Sequence, residues 1–264
     1  MRNYVLGISG LLLIATCSVF TSWKNSDNTK FTQKNLEEVP LETAYIHHAK
    51  SLYQSAHLKD SGLAFPVFEK ALTGFYNLKK AGLLSDHALL TIADFDQPST
   101  HKRLYVLNVE QKDVVLNTWV AHGQRSGEDQ AVTFSNQNDS FTSSIGFFVT
   151  GEEYQGTHGR SLKLDGMDPG FNDNARLRSI VIHGAPYVSE GTIAALGRLG
   201  RSQGCPAVSP ELADALISSL GEGSVLFINR SAEKYSSSYL NEDSAYLAVM
   251  PEMKNNNLYG NNID

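Results

Sequence analysis

The chain has 264 residues, of which 41% are hydrophobic and 19% charged, and its formal net charge is −6. That length leaves room for one substantial domain with appendages, and the apolar share is ordinary for a globular protein with a real core. The acidic balance and the absence of Lys/Arg runs argue against nucleic acid as a partner.

Met1-Arg2-Asn3 opens an apolar run from Tyr4 through Phe20, centred on Leu11-Leu12-Leu13-Ile14, before Lys24 and a polar segment. A positive start, a short apolar core and small residues near its end predict a secretory signal over residues 1–22, the short core favouring it over the alternative of an uncleaved membrane anchor. The chain is therefore expected to be exported, to the periplasm or another part of the cell envelope. Ile14-Ala15-Thr16-Cys17 is also similar to a lipoprotein processing site, although Thr16 fits poorly before the cysteine. Processing there would anchor the N-terminus to a membrane. Residues 23–40, rich in Asn, Ser, Thr, Lys and Gln, read as a linker.

Residues 41–86 read as two helices. Ala44, Tyr45, His48, Ala49, Leu52, Tyr53 and Ala56 make one apolar stripe, and Val67, Phe68, Ala71, Leu72, Phe75 and Leu78 a second that Gly82 ends. His47, His48 and His57 fall on or beside the first helix without a carboxylate or cysteine at ligand spacing, so they read as ordinary helix residues.

From residue 87 the period shortens to that of strands. Leu89 to Phe95, Leu104 to Val109 and Val114 to Val120 predict three strands, the last two joined by the turn Gln111-Lys112-Asp113. Residues 121–144 are rich in Gly, Ser, Asn, Gln and Asp, and a loop of that length inside a compact domain is commonly functional. Ile145 to Thr150 and Ser161 to Leu164 resume strands, with residues 151–159 between them as a candidate flap that carries His158. Asp165-Gly166-Met167-Asp168-Pro169-Gly170 is a turn cluster without the ligand ladder of a calcium loop. Arg176 and Arg178 precede the unbroken apolar strand Ile180-Val181-Ile182, which delivers His183-Gly184 at its end. Residues 191–200 suggest a short helix. Ser209-Pro210-Glu211 starts another that Gly221 stops, and Val225-Leu226-Phe227-Ile228 is a last strand. Residues 231–264 read as a polar, partly ordered tail.

The chemistry points to Arg201-Ser202-Gln203-Gly204-Cys205-Pro206-Ala207. Gly204 and Pro206 are poor choices inside a regular core element, and Cys17 and Cys205 are the only cysteines, the first of them in the export segment. If that segment is cut, Cys205 is the sole thiol of an exported chain, a setting that suggests reactivity. A thiol with a pKa near ~8.5 needs a base or a positive charge to reach the thiolate, and His183 and Arg201 could supply these. His122-Gly123 ends a strand in the same way, which makes His122 the rival base.

This series resembles the L,D-transpeptidase (YkuD-type) family of bacterial cell-wall enzymes, whose motif is His-Gly at a strand end followed by Ser-His-Gly-Cys, and within it the murein L,D-transpeptidase catalytic domain branch. The likeness runs from about Leu90 to Arg230, through Ala121-His122-Gly123, Phe134-Ser135-Asn136, Ser143-Ser144-Ile145-Gly146-Phe147, His158-Gly159-Arg160-Ser161-Leu162 and Asn172-Asp173-Asn174-Ala175-Arg176. Gln203 stands where the common motif has histidine, and Ala207 near where many members carry arginine.

The resemblance implies a mostly β, α+β fold: an L,D-transpeptidase-like sandwich or barrel over residues 87–230, with N-terminal helices and a helix after the cysteine. It implies Cys205 as the acyl-accepting nucleophile, His183 as its base, and the Gly204 and Cys205 amides as the oxyanion hole. Arg201, Ser202, Gln203, His122, Ser144 and His158 become the expected substrate contacts. The implied partner is the peptide stem of peptidoglycan, with no cofactor and no metal. Three rivals stay open: an L,D-carboxypeptidase using water as acceptor, a non-catalytic wall-binding protein, and a zinc amidase built on His122, Asp165 and His183.

Overall fold

The computed structural model describes residues 41–259, and the side chains of residues 43–251. The signal expected at 1–22, with Cys17, and the linker expected at 23–40 lie outside the described residues.

Two helices come first, α1 (Leu41–Ser55) and α2 (Phe65–Lys80). Tyr45, Ala49 and Leu52 recur along one face of α1 and are buried, as is the predicted apolar stripe of α2. Pro66 in the first turn of α2 and Lys79 and Lys80 in its last suit the two poles of the helix. His48 meets the Tyr76 hydroxyl at 2.8 Å, the structural role expected of it.

Eight strands follow: β1 (Leu90–Asp94), β2 (Leu104–Asn108), β3 (Asp113–Thr118), β4 (Gly146–Gly156), β5 (Gly159–Gly166), β6 (Val181–Gly184), β7 (Ala207–Val208) and β8 (Val225–Asn229). They form one sheet in the order β3-β2-β1-β8-β4-β5-β6-β7. Most neighbours run antiparallel, but β1 pairs with β8, and β6 with β7, in parallel. The two ends of the sheet meet where Ala121, just beyond β3, donates its N–H to the Ala207 carbonyl of β7 at 2.8 Å. The α+β, barrel-like fold expected from the sequence is the one observed. Helix α3 (Glu190–Leu196) lies between β6 and β7, and α4 (Pro210–Leu220) follows β7.

The central strands bury both faces, which explains their unbroken apolar runs. Leu90, Ile92, Tyr105, Leu107, Phe147 and Phe227 pack toward α1 and α2, while Ala93, Leu104, Val106, Phe148, Leu226 and Ile228 pack on the other side with α4. Gly74 on α2 admits Phe147 so closely that a methyl there would sit 2.0 Å from the ring. The helices and the sheet therefore belong to one compact unit.

Two expectations are corrected. The strands expected at 145–150 and 161–164 run further than expected: β4 and β5 continue through the candidate flap of 151–159 as a ladder, Gly156 opposite Gly159, with only Thr157 and His158 in the turn. The tail is not merely polar. It contains α5 (Glu242–Tyr259), whose Ala245 and Val249 are buried in the same core as α1 and α2. Asn77 of α2 secures its approach by donating to the carbonyls of Tyr239 and Asn241 at 2.8 and 2.9 Å.

Candidate functional site

Strand pairing brings Cys205 and His183 to one place. His183 of β6 stands opposite Ser161 of β5 on one side and Ala207 of β7 on the other. Ala207 is two residues beyond Cys205, so the register that places the imidazole also places the sulfur. The loop before β7 is secured from the Ala121–Gln124 segment: Ser202 donates its N–H to His122 O at 2.9 Å, and Gln124 donates to Ser202 O at 2.8 Å. Within the loop the Ser202 hydroxyl donates to Cys205 O at 2.6 Å and accepts the Gly204 N–H at 3.0 Å. Gly204 has φ +124°, and a methyl on it would lie 2.7 Å from Thr142 O. Only glycine suits that position.

Both side chains line a cleft of about 580 Å³. The sulfur lies 3.7 Å from Ser179 O, a weak thiol hydrogen bond. Burial pushes the Cys205 thiol up, opposed by the Val181 N–H and the Arg178 charge. His183 is 2% exposed, and its Nδ1 lies 3.0 Å from Gly184 O. A carbonyl can only accept, so Nδ1 carries the hydrogen and Nε2 keeps its lone pair. Burial holds this imidazole below its ordinary value, and the neighbouring His158 pushes the same way. These two directions favour a neutral thiol and a neutral imidazole.

The expected substrate contacts separate into two groups. Arg201, Ser202, Gln203 and His158 line the cleft. Gln203 and His158 are exposed in it, and the His158 ring stacks on His183. Arg201 is tied back, donating to Gly127 O at 2.9 Å and to the Glu128 carboxylate at 2.8 Å. His122 and Ser144 do not line the cleft. His122 is 1% exposed, and its Nδ1 accepts from Arg103 at 2.7 Å while Nε2 faces Gly127 O at 3.3 Å. With both nitrogens occupied it cannot serve as substrate contact or base, and burial beside Arg103 lowers its pKa to about 4. Ser144 is buried, donates to Ser135 O and accepts from Arg178. The Gly204 amide, expected in the oxyanion hole, is occupied by Ser202 Oγ. The Cys205 N–H has no partner among the described residues.

Sequence reasoning did not assign Arg178, Ser179 or Tyr187 to the site, yet all three line the cleft. Ser179, Asp139 and Phe141, also in the lining, hold left-handed backbone without being glycine, local strain of the kind that gathers at functional sites. The polar loop and the Arg178-x-x-x-x-His183 proximity were visible, but not which side chain the loop serves.

Among the described residues no three His, Cys, Asp or Glu side chains gather as a metal site. The zinc set of His122, Asp165 and His183 is not brought together: His122 is held by Arg103, and Asp165 takes the Arg176 guanidinium. No helix of the described residues is long and apolar enough to cross a membrane.

The L,D-transpeptidase catalytic domain family matches residues 59–229. Similar solved structures include an L,D-transpeptidase from Mycobacterium smegmatis (15% identity, TM-score 0.34, covering 54% of this chain and 58% of that one). L,D-transpeptidase 3 from Mycobacterium tuberculosis with a faropenem-derived adduct is another (15%, 0.34, 54% and 60%). A third is the helical cell shape determining protein of Campylobacter jejuni (15%, 0.38, 69% and 63%). The chain spans less than two thirds of the length of each of these. No curated protein matches it in sequence.

Proposed function

Because this chain belongs to the L,D-transpeptidase catalytic domain family, we propose that it is an exported cell-wall enzyme that transfers acyl groups of peptidoglycan stem peptides through Cys205. The observation that carries this reading is the shared cleft: Cys205 and His183 both line it, and His183 Nδ1 is committed to Gly184 O, leaving Nε2 as the base.

The steps follow from these atoms. As His183 Nε2 takes the thiol proton, Sγ forms a bond to the carbonyl carbon between an L-residue and the next D-residue of the stem. The oxygen becomes an oxyanion, for which the unpartnered Cys205 N–H is the available backbone donor. Collapse breaks the C–N bond, and the imidazolium returns its proton to the departing amine. A second amine then attacks the thioester, its proton passes to His183, and the thiol is released with a new amide formed. Water in place of that amine gives the free acid and an L,D-carboxypeptidase.

Incubation of the purified protein with muropeptides and mass analysis of the products tests this. Cross-linked products, lost in Cys205→Ala and His183→Ala, are expected. Trimmed stems alone mean hydrolysis. Unchanged muropeptides, with no carbapenem adduct on Cys205, would leave a non-catalytic wall-binding protein.

A further inference from the structure

We propose that Arg178 is the fixed cation of the site, its charge set beside Cys205 to stabilise the thiolate and the oxyanion that the sulfur generates. The proposal deepens the reading of Cys205 as nucleophile and rests on it.

Arg178 lies in the turns before β6 and lines the cleft with the sulfur. Its Nη2 is 3.3 Å from where a methyl on Gly204 would sit, so the guanidinium presses on the residue next to the nucleophile. The acceptors that hold it are all neutral. Nη1 donates to Ser135 O at 2.7 Å and to Ser144 Oγ, and Nη2 to Thr142 O at 2.7 Å and Ser140 Oγ at 3.1 Å. Four residues of the long polar loop therefore converge on one side chain, which accounts for that loop's composition. No carboxylate lies within ion-pair distance of it among the described residues.

A half-buried charge caged by uncharged acceptors keeps its field, and that field acts on the nearest ionisable atom. The sulfur and the guanidinium affect each other's proton affinity in the senses expected of such a pair. The other cation of the lining, Arg201, is compensated by Glu128 at 2.8 Å. His183, His158, Tyr154, Tyr187 and Asp139 complete the ionisable groups around the cleft, and none of them supplies a permanent positive charge. A carboxylate-binding role for Arg178 fits less well. All four Nη hydrogens are already donated, so no bidentate fork remains for a substrate.

Alkylation of Cys205 by iodoacetamide as a function of pH tests the proposal without substrate, so its result is independent of whether stem peptides are turned over. In folded Arg178→Gln the thiol should titrate at higher pH than in the parent protein, and kcat on muropeptides should fall roughly tenfold or more. Arg178→Lys should restore much of both. Ser140→Asp, which keeps the arginine but sets a carboxylate against it, should move the thiol titration in the same upward direction and serves if the Gln variant does not fold. An unchanged thiol titration in these variants, or a rise in KM alone, overturns the proposal. Lost muropeptide turnover in the parent protein, with the titration shift intact, would count against the function and not against the cation.

Discussion

The imidazole of His158 lies almost flat on that of His183, with ring centroids 4.4 Å apart and planes 24° from parallel. His158 occupies the two-residue turn between β4 and β5, so the ladder that projects past the core ends as a roof over His183. The roof removes water from one face of His183 and opposes a second positive charge there.

Removing that roof has a directional consequence. In its proposed role His183 acts as base only when neutral, so activity should be lost as pH falls through its pKa, which burial and His158 hold below the ordinary value. In His158→Ala both influences weaken and the pKa rises. The acid limb of the kcat/KM profile should move to higher pH, read by rates across pH 4 to 8. A profile that only scales down, without moving, would reduce His158 to a substrate contact.

Gly204→Ala should damage the site more than its size suggests. Its φ of +124° and the 2.7 Å approach to Thr142 O make any side chain strained there. A loss on the order of 1–3 kcal/mol in urea unfolding, with the greater part of the activity gone, is expected. Unchanged stability together with full activity would contradict the packing of this loop.

Acid should destabilise the protein through His122 before the carboxylates titrate. Its folded pKa is lowered to about 4, so its contribution is fully present above the unfolded value near ~6.5 and is lost as pH falls through about 4. Protonation forces a cation against Arg103, which is fully buried and donates to His122, Val120 O and Gln97 O. Unfolding free energy should drop by up to about 3 kcal/mol between pH 6.5 and 4. The comparison that checks it is the same titration in His122→Asn, where this part of the slope should vanish.

The last helix is predicted to be structural. Ala245 is fully buried against α1 and α2, so Ala245→Asp places a carboxylate where nothing can solvate it. A cost of about 2 kcal/mol or more in thermal or urea unfolding follows. No change would return residues 242–259 to the status of an appendage.

The sequence made the regular, two-sided elements readable. Strands at Leu90, Leu104 and Val225 are buried on both faces, and the α2 stripe recurs at helical spacing, so local pattern and tertiary burial agree. Helix α5 was missed because only Ala245 and Val249 of its described side chains are fully buried, a pair too sparse to stand out among polar neighbours. The β4–β5 ladder was missed because beyond the core it has no apolar face. Glu152 pairs with Lys163 and Glu153 with Arg160, so charge pairs replace hydrophobic alternation. His122-Gly123 and His183-Gly184 are locally alike. What separates them is Arg103, 19 residues earlier in the chain, which takes the first imidazole into the interior. The setting of Arg178 was hidden for the same reason, since its acceptors lie about forty residues upstream.

The closure between Ala121 and Ala207 makes the surroundings of Cys205 a product of assembly. Everything that distinguishes this sulfur from a free thiol arrives from distant chain: the Ser202 turn is secured by His122, Gly204 is roofed by Thr142, and the base comes from the neighbouring strand. A nascent or unfolded polypeptide therefore carries only an ordinary cysteine at 205. Folding takes that thiol into the cleft, where burial raises its pKa, so the pH at which the sulfur is labelled reports how far the fold has matured.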